Sequence, residues 1–183
     1  MRKKYTKKEN DRVESAIIFL TDEYRKSGHN PKPVIFHSLR VAMKLADLGE
    51  DSTVVIAALL HDLTEDSEVS LKQISQEFGK EVANLVDSVS FKSEITDKHA
   101  QYREMFERVV RAGLPAMKLK CIDILDNSTY YTFGNDKEAE DILLAKLKYF
   151  LDITKEHLHN FEFYNELSTK YEKFLLDYKQ AYQ

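Results

Sequence analysis

The chain has 183 residues, 43% of them hydrophobic and 32% charged, with a formal net charge of −4 at pH 7. That length suits one well-cored domain, and the acidic balance offers no global field to recruit nucleic acid or an anionic membrane. Five glycines and three prolines fall below the usual ~7% and ~5%, which argues against a turn-rich β-sandwich and against a disordered chain.

Met1 to Asn10 is basic, but no hydrophobic stretch of signal-peptide length follows it, so Arg2 to Lys8 reads as a solvated arm. Val13, Ile17, Leu20 and Tyr24 recur along one helical face and predict a first helix over 11–27. A second is predicted over 33–48 and a third over 52–63. The third contains Val54 to Leu60, the longest unbroken apolar run, which is far shorter than the ~18 residues a membrane helix needs. Ser70 with Gln73 has the pattern of a capping box, opening a short helix that carries Leu71, Ile74 and Phe78. Val82, Leu85, Val86 and Val89 mark the next. A further helix is predicted over 97–112, and Pro115 stands where a first-turn proline starts one running to about residue 130. Two long amphipathic helices, near 136–157 and 161–182, complete the chain. Gly28, Gly49, Gly79, Gly113 and Gly134 each follow a periodic stretch, where a left-handed helix C-cap belongs. No four-residue alternation reads as a strand. The expectation is an all-α protein, a single domain over residues 1–183.

Cys121 is the one cysteine, so neither an intramolecular disulfide nor a thiolate metal site is available, and a reducing cytoplasm is the default. It reads as inert core. His29, His99, His157 and His159 lie in polar stretches and read as surface residues. Tyr130, Tyr131 and the aromatic-rich tail from Phe161 to Tyr182 read as helix packing or a subunit interface between copies.

Two histidines carry more. His37 shares a helical face with Val41, Leu45 and Leu48, and His61 continues the face of Val54, Ala57 and Ala58. Either alone reads as a core residue. The run His61-Asp62-Leu63-Thr64-Glu65-Asp66 changes that reading, because four ionisable side chains close an apolar helix. Helical spacing sets Glu65 one turn beyond His61 and Asp66 one turn beyond Asp62. A buried helix does not end in unpaired carboxylates without cost, and a divalent metal resolves the conflict, with neutral imidazole and ionised carboxylate as ligands. Downstream, Asp123 and Asn127 stand one turn apart in an otherwise apolar helix. They read either as bridges between helices or as part of the same chemistry. With His37, His61 and Asp62, Asp123 completes a two-His, two-Asp ligand set drawn from three helices.

That order of residues, with the middle His-Asp adjacent, resembles the HD superfamily of metal-dependent phosphohydrolases. The closer resemblance is to the hydrolase domain of the RelA/SpoT family and its stand-alone small alarmone hydrolases. It is carried by Arg25-Lys26-Ser27-Gly28, by His37, by Ala58-Leu59-Leu60-His61-Asp62 with Glu65-Asp66, and by Lys120-Cys121-Ile122-Asp123 through Asn127. These segments span about residues 10–130, with the C-terminal helices at about 136–182 lying outside. The resemblance implies a helical HD-domain bundle whose metal ligands are His37, His61, Asp62 and Asp123, usually for manganese. It implies Glu65 and Asp66 as catalytic acids beside the attacking water, and Arg25, Lys26, Ser27 and Asn127 as contacts to a guanosine nucleotide. The implied reaction removes the 3′-pyrophosphate of (p)ppGpp, with no nucleic acid and no membrane as partner. Two alternatives remain open: an HD phosphohydrolase acting on another nucleotide, such as a 5′-nucleotidase or cyclic-nucleotide hydrolase, and a nucleotide-binding module without turnover.

Overall fold

A computed structural model describes residues 5–27 and 33–182. Among these the secondary structure is helical throughout, without strands. The order is α1 (Lys7–Ser27), α2 (Val34–Asp47), α3 (Ser52–Leu60), α4 (Leu63–Asp66), α5 (Leu71–Phe78), α6 (Lys80–Val89), α7 (Lys98–Ala112), α8 (Leu114–Asn127), a 3₁₀ turn (Ser128–Tyr130), α9 (Lys137–Leu158) and α10 (Glu162–Tyr182). None of these helices is long and apolar enough to cross a membrane. The chain divides into two compact units, one ending at Phe91 and the other beginning at Lys92.

In the first unit α3 is the central element, packed by α1, α2 and α6. Its sequence explains why: Val54 to Leu60 are all buried, so every face of this helix is covered rather than one stripe. Helix α2 buries only Val34, His37, Ser38, Val41, Ala42 and Leu45, the one-sided pattern of a surface helix. Ser70 opens α5 as expected, its hydroxyl accepting the Gln73 amide at 3.3 Å.

In the second unit α8 has the central place, packed by α7, α9 and α10. Cys121 to Asp126 are all buried, and burial pushes the Cys121 thiol pKa up, in line with an inert core position. Asp97 caps α7 through the Ala100 amide at 2.7 Å, and Asp136 caps α9 through the Ala139 amide at 3.0 Å. Both are ordinary N-caps that satisfy amides left over in a first helical turn.

Four details differ from the sequence reading. Lys7 and Lys8 of the expected arm belong to α1, because Thr6 and Glu9 close a capping box: Thr6 N–H donates to the Glu9 carboxylate at 2.8 Å and Glu9 N–H to Thr6 Oγ1 at 3.3 Å. The expected helix over 52–63 stops at Leu60 and restarts at Leu63. Gly134 has positive φ but lies ahead of α9 rather than at a helix end. Tyr130 is largely exposed rather than packed between helices, whereas Tyr131 does meet the ring of Phe174. Gly28 and His29 lie outside the described residues.

Candidate functional site

The break between α3 and α4 makes the first half of the site. His61 turns its Nδ1 onto the carbonyl of Ala58 at 2.8 Å, the carbonyl that an unbroken helix commits to the amide of Asp62. A carbonyl only accepts, so Nδ1 carries the proton and the His61 Nε2 presents its lone pair. That Nε2 lies 3.3 Å from the Nε2 of His37 on α2. Asp62 Oδ1 is 3.1 Å from the His61 Nε2, and Oδ2 is 3.8 Å from the His37 Nε2. Both imidazoles are buried, each 1% exposed.

Two ring nitrogens and a carboxylate thus converge within one cation's reach. This donor set fits a divalent metal: the tautomer of His61 is fixed by the hydrogen bond to the far ring nitrogen, as metal-bound histidines are usually held. Imidazole and carboxylate suit manganese, iron, cobalt or zinc alike.

The acids that follow face different partners. Glu65 is exposed, and its Oε1 accepts the amide of Phe91 at 2.8 Å. Asp66 is half-buried and meets Tyr24, whose phenol is itself buried on α1. Burial raises the Tyr24 pKa far above the usual value, and the nearby charges of Asp62, Asp66 and Glu65 raise it further. Tyr24 therefore stays a neutral phenol near three carboxylates. Spacing arguments had placed it only on the apolar face of α1.

At the end of α1, Arg25, Lys26 and Ser27 are exposed. Lys26 Nζ pairs with Glu23 at 2.6 Å, and the Ser27 hydroxyl donates to the carbonyl of Tyr24 at 3.1 Å.

In the second unit, Asp123 is buried in the middle of α8 and held on both sides. Lys120 Nζ stands 2.8 Å from Oδ2, and Asn127 Nδ2 donates to Oδ1 at 2.7 Å. Lys120, also buried, enters the sequence reading only as part of a motif, with no pairing role, although its i,i+3 spacing to Asp123 is the signal that finds it. Asn127 serves Asp123 within the same helix.

A family model described as "HD domain" matches residues 16–119. Among curated proteins, the chain is 37% identical over 123 residues to the guanosine-3′,5′-bis(diphosphate) 3′-pyrophosphohydrolase of Aquifex aeolicus, covering 65% of this chain and 17% of that one. It is 35% identical over 123 residues to the bifunctional (p)ppGpp synthase/hydrolase SpoT of Escherichia coli, covering 64% of this chain and 17% of that protein. The chain therefore spans less than a fifth of the length of these relatives. Among solved structures, one described as a metazoan ortholog of SpoT that hydrolyzes ppGpp superposes with a TM-score of 0.66. It is 24% identical and covers 81% of this chain and 86% of that one, so the all-α fold is shared.

Proposed function

Because the chain belongs to the HD domain family, we propose that it is a metal-dependent phosphohydrolase that releases the 3′-pyrophosphate of guanosine alarmones. The observation that carries this reading is the convergence of His37 Nε2, His61 Nε2 and Asp62 at the break between α3 and α4. The substrate rests on the likeness to (p)ppGpp pyrophosphohydrolases and on the Arg25-Lys26-Ser27 segment. Asp123 is added to the ligand set from the order of the motif, and Mn²⁺ is the metal we assign.

A divalent cation held there supplies Lewis-acid polarisation of a phosphoryl oxygen and makes water more acidic. In the reaction, water adds to the phosphorus next to the ribose 3′-oxygen. The bond between that phosphorus and oxygen breaks, pyrophosphate leaves, and the 3′-oxygen takes a proton. Glu65, oriented by the Phe91 amide, receives the proton of the attacking water, and Asp66, beside the neutral Tyr24, shares the task. Arg25 and Lys26 gather the polyanion, since a net acidic chain must do so with local cations. Ser27 and Asn127 contact the nucleotide.

Elemental analysis tests the ligand set. The purified protein should hold about one transition-metal ion per chain, and Asp62→Ala and Asp123→Ala should each lose it, as loss of an anionic ligand weakens such sites heavily. Equal metal content in the wild type and both variants would remove the basis of this reading.

A further inference from the structure

The C-terminal end of α6 touches the acidic turn at three points. Ser90, the C-cap of α6, is buried. Its hydroxyl proton is shared between the carbonyl of His61 at 3.1 Å and that of Val86 at 2.8 Å, and its oxygen accepts the Thr64 hydroxyl at 3.2 Å. The next amide, Phe91 N–H, donates to Glu65 at 2.8 Å. One dipeptide thus holds the backbone of a metal-site histidine, a side chain inside α4 and the carboxylate of Glu65.

We propose that Ser90 and the Phe91 amide form a positioning strap for Glu65. This rests on the reading of Glu65 as the group that takes the proton from water. A glutamate on an exposed turn has several rotatable bonds and samples many rotamers. A charge-assisted hydrogen bond from a backbone amide selects one of them. The amide holds Glu65 only as firmly as it is held itself, and that is the work of the Ser90 hydroxyl, which ties the end of α6 to His61 and Thr64. Ser90 also sits at φ −95° and ψ 154°, the extended conformation in which a residue delivers the following amide sideways out of the helix. A serine that merely capped α6 needs only the Val86 carbonyl. The bonds to His61 and Thr64 reach across to the acidic turn and have no capping role.

Ser90→Ala removes the strap's anchor, and Ser90→Thr keeps the hydroxyl. Phe91→Pro deletes the amide donor, and the extended Ser90 already has the backbone that a residue before proline requires. With metal content and KM held near wild type, Ser90→Ala and Phe91→Pro should each lower kcat by about 10- to 100-fold, the range for partners that orient a reacting group through a ligand. Ser90→Thr should restore most of the rate. In a Glu65→Gln background, Ser90→Ala should cost nothing further, because its effect passes through Glu65. Amide hydrogen exchange reads the strap without turnover: protection at Phe91 should fall at least about 10-fold in Ser90→Ala and in Glu65→Ala, which removes the acceptor, and persist in Ser90→Thr. Unchanged exchange at Phe91 in Ser90→Ala, or an undiminished kcat in both Ser90→Ala and Phe91→Pro, would overturn the proposal. If the wild-type protein turns over a different nucleotide, the alarmone reading fails and the kcat comparison is made on that substrate. If it turns over none, the exchange result alone decides the strap.

Discussion

Glu65 and Asp66 are neighbours in sequence with unlike surroundings, and the difference assigns them unequal work. Glu65 is exposed and oriented by a backbone amide, whereas Asp66 is half-buried against a neutral phenol. Glu65→Gln keeps size and hydrogen bonding but removes the basic carboxylate. It should leave metal content unchanged and lower kcat by roughly 10²- to 10⁴-fold, the contribution of a well-placed general base. Loss of metal in that variant would make Glu65 a ligand, and full activity would put the base elsewhere. Lys120 makes a different prediction, about stability. It and Asp123 form a buried pair at 2.8 Å, so in the metal-free protein Lys120→Met removes a counter-charge from a buried carboxylate. Urea unfolding of the metal-free protein should show a loss of about 3–5 kcal/mol, and a loss below about 1 kcal/mol would mean that Asp123 does not depend on Lys120. The His-Asp pair and its acids were legible because ionisable residues interrupt an apolar run. Tyr24, Ser90 and the Phe91 amide were not, because nothing local distinguishes them: a tyrosine on an apolar face, a serine after a valine and a main-chain N–H gain their roles only when α1, α4 and α6 meet.

At the scale of elements, the sequence reading located the helices well where apolar periodicity was strong and erred where side chains compete for backbone groups. Helix α1 starts early because Thr6 and Glu9 cap it, a signal present in the sequence as Thr-x-x-Glu. The stop after Leu60 depends on the His61 ring taking a helical carbonyl, and apolar periodicity contains no trace of that. The segment before α9 is a third case. Glu140 points back along its helix and accepts the amides of Gly134, Asn135 and Asp136 at 2.9, 3.0 and 3.2 Å. Burial pushes its carboxyl pKa up, but the three donors outweigh burial and hold it below the usual carboxylate value. A depressed folded-state pKa means stability that is present above the unfolded value of 4.5 and lost as pH falls from there through the folded value. Glu140→Gln should therefore unfold more easily than wild type at neutral pH, with the gap narrowing below about pH 4.5. Thermal melts at pH 7 and pH 3.5 check this, and a gap that stays constant would contradict it.

In each unit a heavily buried helix contains, or runs directly into, buried ionisable residues. In the first unit α3 runs fully covered into His61 and Asp62, and in the second α8 buries Lys120, Asp123 and Asp126. Burying charge is costly unless it is paired or bound to a metal, so the placement of these groups asks for an explanation that packing alone does not give. Composition pointed to the helical class, and the acid-rich end of an apolar run pointed to the candidate site, yet neither reveals the reaction. The most direct test is incubation with ppGpp and Mn²⁺, with the products separated and identified. The proposed chemistry predicts equimolar GDP and intact pyrophosphate, abolished by a chelator. Stepwise orthophosphate, or turnover of deoxynucleoside monophosphates or cyclic nucleotides while ppGpp remains untouched, would contradict it.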